Sequence, residues 1–266
     1  MKSYKDKVAV ITGAASGIGR ALAVQLAAEG AHLAISDVNA AALAETAALL
    51  SRGGRVTQHV VDVGDRSAVE RYADEVRKEH GGADLVINNA GTSVYGSIEK
   101  LSYDDFESVI RVDLWGVLYG TKAFLPQLRG KKEGHIVNIS SISAMVPLAN
   151  NGPYNLAKYA VLGFSETLMQ ELRGSPISVT CVHPGFVRTN IVRNTRNMTD
   201  SDAATFDRIA KTTPEQAAQV ILRGVRRGKR RIYVGADAKI MALAKRLMPD
   251  ATVQLMGAIS NDPRGR

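Results

Sequence analysis

Val8-Ala9-Val10-Ile11-Thr12-Gly13-Ala14-Ala15-Ser16-Gly17-Ile18-Gly19 is the run on which the fold turns. Lys7 to Thr12 reads as a short strand built on Val8, Val10 and Ile11, and Ile18, Leu22 and Leu26 mark the apolar stripe of a following helix. Gly13, Gly17 and Gly19 lie between them. Such a turn wants glycine because unhindered backbone lets a pyrophosphate come within hydrogen-bonding distance of helix N-terminal amides. The spacing is Gly-x-x-x-Gly-x-Gly, not the Gly-x-Gly-x-x-Gly of the standard dinucleotide fingerprint. On the glycines alone, a tight packing turn is an equal reading.

The next strand tips that balance. His32 to Ser36 ends at Asp37, where a carboxylate can accept hydrogen bonds from both adenosine ribose hydroxyls and would repel a 2′-phosphate. This favours NAD over NADP. Capping of a helix over Ala40 to Leu50 is the alternative role for Asp37, shared with Asn39. A third strand, Val56 to Val61, leads to Asp62 and Val63, placed to border an adenine, with Asp62 either contacting the ring amine or closing the turn. Arg66 to His80 reads as a charged surface helix ended by Gly81 and Gly82. The fourth strand, Leu85 to Asn88, runs into Asn89, Ala90 and Gly91, small enough to pass a flat ligand, with asparagines that can lock strand ends together. Strands alternating with helices predict a parallel sheet with right-handed crossovers and ligand crevices at the carboxyl ends of its strands.

The 266 residues, 45% of them apolar, suffice for one large α/β domain spanning 1–266. The single Cys181 excludes an intrachain disulfide framework and fits a reducing compartment. The short charged start and the lack of a run of about 20 apolar residues point to a cytoplasmic protein. The formal charge of +8 resides beyond residue 190, where 15 Lys or Arg face 7 Asp or Glu. Its densest part, Arg226 to Arg231, lacks the aromatic interleaving of a nucleic-acid site and reads as a solvated turn. The five histidines have no metal-type spacing, so no metal is expected.

In the second half, Tyr103 to Leu128 reads as one long helical region containing Asp113, with Trp115, Tyr119 and Phe124 as packing or subunit-contact residues. A strand from Gly134 to Ser140 then ends where hydroxyls begin, at Ser141. Pro153 suits a helix start, and Tyr154 and Lys158, four apart, share one face of a helix running to Leu172. A sixth strand, Ile177 to Val182, ends at a His183-Pro184-Gly185 turn that puts Phe186, Val187 and Thr189 on the same rim. The segment 190–212 is polar with little periodicity, as a lid over a substrate or a surface insertion would be. A helix from Thr213, a short strand Arg231 to Gly235 and a last amphipathic helix capped by Asp237 follow, the latter opening a C-terminal extension, 236–266. That helix would cover a neighbouring element, a subunit or, last in order, a bilayer surface.

Thr12-Gly13-Ala14-Ala15-Ser16-Gly17-Ile18-Gly19, Asp62-Val63, Asn88-Asn89-Ala90-Gly91, Ser141 with Tyr154-Asn155-Leu156-Ala157-Lys158, and Pro184-Gly185 with Thr189 resemble the short-chain dehydrogenase/reductase family over roughly residues 5 to 235. The resemblance implies a Rossmann-like three-layer α/β/α fold with a seven-stranded parallel sheet, assembled as a homotetramer or dimer. It implies that Gly13, Ser16, Gly17, Ile18 and Gly19 line the pyrophosphate turn, that Asp37 selects NAD, and that Asp62 and Val63 hold adenine. Asn89, Ala90 and Gly91 would border the cofactor, with Pro184, Gly185, Val187 and Thr189 near its carboxamide. Ser141 would orient the substrate oxygen and Tyr154 transfer the proton, while Lys158 contacts the nicotinamide ribose and assists Tyr154.

The chemistry is self-consistent. Oxidising an alcohol removes its hydroxyl proton as hydride leaves carbon, so a base must sit by the oxygen and a nicotinamide by the carbon. Free tyrosine titrates near 10, and a neighbouring ammonium together with oxidised nicotinamide would lower that value. Many family members carry asparagine where this chain has Asp113, which joins the catalytic set here and is expected to alter the pH profile. Ala144 to Ala149 suggest an apolar pocket, with Arg193 and Arg196 as lid cations able to recruit an anion. The expected activity is interconversion of an apolar, cyclic, aromatic or steroid-like secondary alcohol and its ketone with NAD(H). An NADPH-dependent carbonyl reductase and a non-enzymatic dinucleotide sensor are the alternatives.

Overall fold

The computed structural model describes residues 1–50, 54–189, 191 and 195–260. Seven parallel strands form one sheet in the order β3-β2-β1-β4-β5-β6-β7: β1 Val8–Thr12, β2 His32–Asp37, β3 Val56–Val60, β4 Leu85–Asn88, β5 Gly134–Ile139, β6 Ile177–Pro184 and β7 Arg231–Val234. The order runs outward in both directions from the β1–β4 pair. The chain therefore reverses its winding there and opens a crevice above the carboxyl ends of β1 and β4.

All of β1 is buried, and its side chains alternate between two cores, as the two-residue period of a strand requires. Ala9 and Ile11 face a core shared with helices α1 (Gly17–Ala28), α2 (Ala40–Ala48) and α8 (Pro214–Arg226), through Leu22, Leu43 and Ile221. Val8 and Val10 face a second core with α3 (Arg66–His80), α5 (Gly116–Arg129) and α6 (Gly152–Glu171), where Tyr72, Phe124 and Leu168 pack. Tyr72 is fully enclosed, so its hydroxyl needs a partner, and it donates to Ala34 O at 2.7 Å.

Three departures from the sequence expectations bear on function. The long helix expected from Tyr103 is broken: α4 (Tyr103–Ile110) and α5 are joined by a π-helical turn, Arg111–Trp115. The wide turn carries Asp113 into the interior, where it is fully buried, a typical use of such a bulge. Second, the lid-like segment contains a helix, α7 (Asp200–Ile209), started by a capping box in which Thr199 and Asp202 hydrogen-bond reciprocally. That Thr-x-x-Asp signature was legible, but the absence of an apolar stripe hid the helix. Residues 190 and 192–194, including Arg193, lie outside the described part. Third, the last expected helix, α9 (Ala236–Leu247), is followed by another, α10 (Pro249–Ser260), and α9 is capped by Gly235, not by Asp237.

Trp115 is not a core residue: it stacks on Tyr119 with ring centroids 5.5 Å apart and is nearly half exposed, whereas Phe124 is buried against Tyr72. Among the described residues, no helix is long and apolar enough to cross a membrane.

Candidate active site

A cavity of about 700 Å³ occupies the crevice above the strand ends. Every residue expected at the site borders it except Gly19 and Asp113, which act from behind its wall. The glycine turn explains itself sterically. Gly13 has φ +66°, and a Cβ there would lie 2.7 Å from Ala90 Cα, while a Cβ on Gly19 would overlap the Gly13 carbonyl. No side chain caps the start of α1 and no acid stands in its first turn, so its amides face the cavity uncompensated. This is how a pyrophosphate site at a helix start should look, and the donor set fits a dinucleotide.

The adjoining strand ends are locked together. Asn89 Nδ2 donates to Thr12 O and Gly13 O at 2.9 and 3.1 Å, and Thr12 Oγ1 accepts from the amides of Asn89 and Ala90. Deeper in, Asn88 donates to Asn138 and Thr121, and Asn138 to Ser165, tying β4 and β5 to α5 and α6. Asp37 accepts from Ala15 N and Asn39 N, both at 3.0 Å, and so stands fixed at the rim. It does not cap α2; Asn39 does, accepting from Ala42 N.

Asp62 closes its own turn by accepting from Gly64 N at 2.9 Å, and Arg111 Nη1 donates to its other oxygen at 2.6 Å. Burial opposes the charge on Asp62, but Arg111 and the Gly64 amide outweigh it and hold the carboxyl below its usual range. Arg111 was not foreseen. It borders the cavity and reaches a partner 49 residues away, a pairing no local pattern announces.

At the other end, Ser141, Tyr154 and Lys158 meet as their spacing predicted. Ser141 follows β5 and starts a short 3₁₀ turn, Ile142–Ala144, with its hydroxyl accepting from Ser143 N at 3.1 Å; its hydroxyl also pulls the neighbouring Tyr154 phenol downward. Lys158 Nζ lies 5.4 Å from the Tyr154 ring centroid and donates to Ile139 O at 3.1 Å. Ser140 Oγ bonds Lys158 O and pins α6 to the strand end.

Behind this group, Asp113 Oδ2 lies 2.9 Å from Lys158 Nζ. It is an ion pair more than a directed hydrogen bond, while Oδ1 accepts from Thr92 N at 2.7 Å. Burial pushes the Asp113 carboxyl upward against the pull of Lys158 and the Thr92 amide. Burial likewise opposes the Lys158 charge, but Asp113 overrides it and raises the lysine, which stays an ammonium. For Tyr154 the outcome differs from expectation. Burial raises its phenol, Lys158 pulls it down, Asp113 pushes it up again, and the net shift is upward. The lowering expected from Lys158 with an oxidised nicotinamide is therefore not supplied by the protein's own groups.

The apolar wall is also built differently. Of Ala144 to Ala149 only Leu148 borders the cavity, while Ala144 and Val146 are buried in the protein. The apolar lining comes from Phe186, Val187, Ile191, Met198 and Phe206, with the rings of Phe186 and Phe206 edge-to-face at 5.7 Å. Arg196 borders the cavity but is engaged, donating to Ser108 Oγ at 2.6 Å and pairing with Asp105 at 3.2 Å. Among the described residues no three His, Cys, Asp or Glu form a metal site.

Residues 7–200 match the model of the family described as short chain dehydrogenase. A Mycobacterium tuberculosis protein named "Putative oxidoreductase SadH" is 43% identical, over 97% of this chain and 96% of its own. A Burkholderia phymatum short-chain dehydrogenase/reductase solved with NAD superposes with a TM-score of 0.86 at 28% identity, covering 94% of this chain and 96% of that one. An alcohol dehydrogenase from the archaeon Thermococcus sibiricus, solved with 5-hydroxy-NADP, gives 0.76 at 27%, covering 86% and 96%. The glycine turn, the gathered Ser141, Tyr154 and Lys158 and these matches establish that the chain belongs to the short-chain dehydrogenase/reductase family of NAD(P)-dependent oxidoreductases.

Proposed function

We propose that the protein interconverts an apolar secondary alcohol and its ketone with NAD(H). The observation that carries this reading is the meeting of Ser141, Tyr154 and Lys158 on one wall of the cavity that also receives the glycine turn and Asp37. A bound nicotinamide would supply the hydride acceptor or donor. Ser141 can turn its hydroxyl to the substrate oxygen and stabilise charge developing there. Tyr154 Oη then takes the alcohol proton, or returns it in reduction, and the Lys158 ammonium favours the phenolate. Asp113 holds Lys158 in place at a cost, because its own charge works against that phenolate.

Asp37 supports NAD over NADP. Anchored by two backbone amides, its carboxylate cannot readily swing away from a 2′-phosphate. The Phe186 and Phe206 rings, with Leu148 and Met198, support a flat apolar substrate, aromatic or cyclic. The Trp115–Tyr119 stack, with Trp115 nearly half exposed, supports assembly with further copies of the chain as a dimer or tetramer. A cytoplasmic setting suits the buried, free Cys181.

The test is a panel of secondary alcohols and ketones run with both dinucleotides. NADH formation from flat apolar alcohols is expected. Turnover confined to charged alcohols would overturn the substrate class, a clear preference for NADP(H) would overturn the role of Asp37, and tight dinucleotide binding without any turnover would favour a sensor.

A further inference from the structure

We propose that Asp237, on α9, the first helix of the C-terminal extension, is a positioning residue that fixes Phe186 as the aromatic wall of the alcohol site and so makes this extension part of substrate recognition. The proposal rests on the alcohol–ketone reading for its substrate and on geometry for the rest. Asp237 lies in the first turn of α9, past the residues matched by the family. Instead of capping its own helix it reaches across to the loop after β6, where Oδ2 accepts the Phe186 amide at 2.6 Å. A carboxylate acceptor makes such a bond roughly twice as strong as a neutral one, and the start of α9 favours the negative charge.

The surroundings are shaped to this carboxylate. A methyl on Gly185 would overlap Oδ2, and one on Gly235 would overlap Oδ1. Gly235 also has φ +96°, a conformation that disfavours side chains. Two strand ends, β6 and β7, thus each present a bare glycine to one acid, and Gly185 N donates to Val234 O at 2.9 Å to hold the ends in register.

What the bond holds is the backbone from which the ring projects. Phe186 borders the cavity and meets Phe206 of α7 edge-to-face, and the next residue, Val187, bridges to Thr212. A direct path from α9 to the Phe186 wall therefore runs through this hydrogen bond. The same edge of the molecule supports the other wall, since α9 also packs on the 3₁₀ turn that begins after Ser141, and Tyr233 Oη contacts Met145 Sδ at 3.7 Å.

The test compares Asp237→Ala and Asp237→Asn in the full chain. Hydrogen–deuterium exchange at Phe186 reads the bond without reference to activity. Asp237→Ala is expected to speed exchange there about tenfold while leaving β1 and β5 protected. KM for 1-phenylethanol should rise by about the same factor, KM for 2-propanol should stay within about twofold, and ADP-ribose affinity should not change. Asn keeps an acceptor oxygen and should recover most of the loss. If the wild-type protein turns over no alcohol, the alcohol–ketone reading fails; acetophenone binding by equilibrium dialysis then replaces KM and decides this proposal separately. Unchanged exchange at Phe186, exchange lost throughout the sheet, or equal effects on the large and small ligands would each overturn it.

Discussion

The two ends of the cavity are built on opposite plans. At the dinucleotide end, the turn from Gly13 to Gly19, Asp37 and Asn89 lie on consecutive strand ends and fix one another through backbone groups; Asp37 binds Ala15 N and Asn89 binds Gly13 O. At the substrate end the decisive contacts are made by side chains, with one another or, for Asp237, with a loop amide: Asp113 to Lys158, Asp237 to Phe186 N, and Phe186 to Phe206. The dinucleotide end is thus framed by backbone groups of adjacent strand ends, while the substrate end is framed mainly by side chains. Changes at the first end should cost binding of the dinucleotide, and changes at the second should alter rate, pH dependence or selectivity.

The largest effect should follow from Tyr154→Phe. Removing the hydroxyl proposed to transfer the proton is expected to lower kcat by about 10²- to 10⁴-fold, the range typical of general acid–base groups. Dinucleotide affinity, followed by NADH fluorescence, should change little. A loss of NADH binding as large as the loss of rate would erase the distinction between the two ends.

Next in size is Gly19→Ala. Its methyl would collide with the Gly13 carbonyl, a backbone atom that cannot move without opening the turn. Overpacking of this kind costs about 1–3 kcal/mol, so NADH affinity measured by titration calorimetry should fall about tenfold or more. Protection of β5 and α6 against hydrogen exchange should persist.

These two residues also show what the sequence disclosed. Gly19 and Tyr154 were legible because each belongs to a short pattern tied to one turn or one helix face. The parallel sheet followed from alternation and its seven strands from family resemblance, whereas the strand order came from the structure. Arg111, the buried placement of Asp113 and the acceptor role of Asp237 were not legible, because each depends on a partner 45 or more residues away and, for Asp113, on a π-helical turn that apolar periodicity does not encode. The apolar pocket was expected from the right chemistry in the wrong segment. Ala144 to Val146 turned inward as packing, leaving the wall to loops whose contact with the cavity only the fold decides.

Asp113→Asn tests the substrate end electrostatically. The acid raises both Lys158 and Tyr154, so its neutralisation should lower both. Alcohol oxidation needs the phenolate, hence the acid limb of kcat/KM should move to lower pH; Lys158 should also lose its proton earlier, so the alkaline limb should move the same way. Breaking a buried ion pair typically costs about 3–5 kcal/mol, and thermal unfolding should register it. An unmoved pH profile in a folded variant would show that Asp113 does not set the field at Tyr154.

The smallest effect is expected at Asp37, and it bears most directly on the contrast between the ends. Asp37→Ala removes a part-exposed carboxylate without disturbing the glycine turn sterically. The amides of Ala15 and Asn39 lose an acceptor at the cavity rim, where water can replace it. NAD binding should therefore weaken modestly, by about tenfold, the low end of what one hydrogen bond to a charged group is worth. NADP should bind better than before, because the repulsion of its 2′-phosphate is gone, so the ratio of kcat/KM values for the two dinucleotides should narrow from both sides. The alcohol KM should stay as it was. A change in alcohol selectivity in this variant, with the dinucleotide ratio intact, would mean that the two ends are coupled and that the local plan of the first does not insulate it from the second.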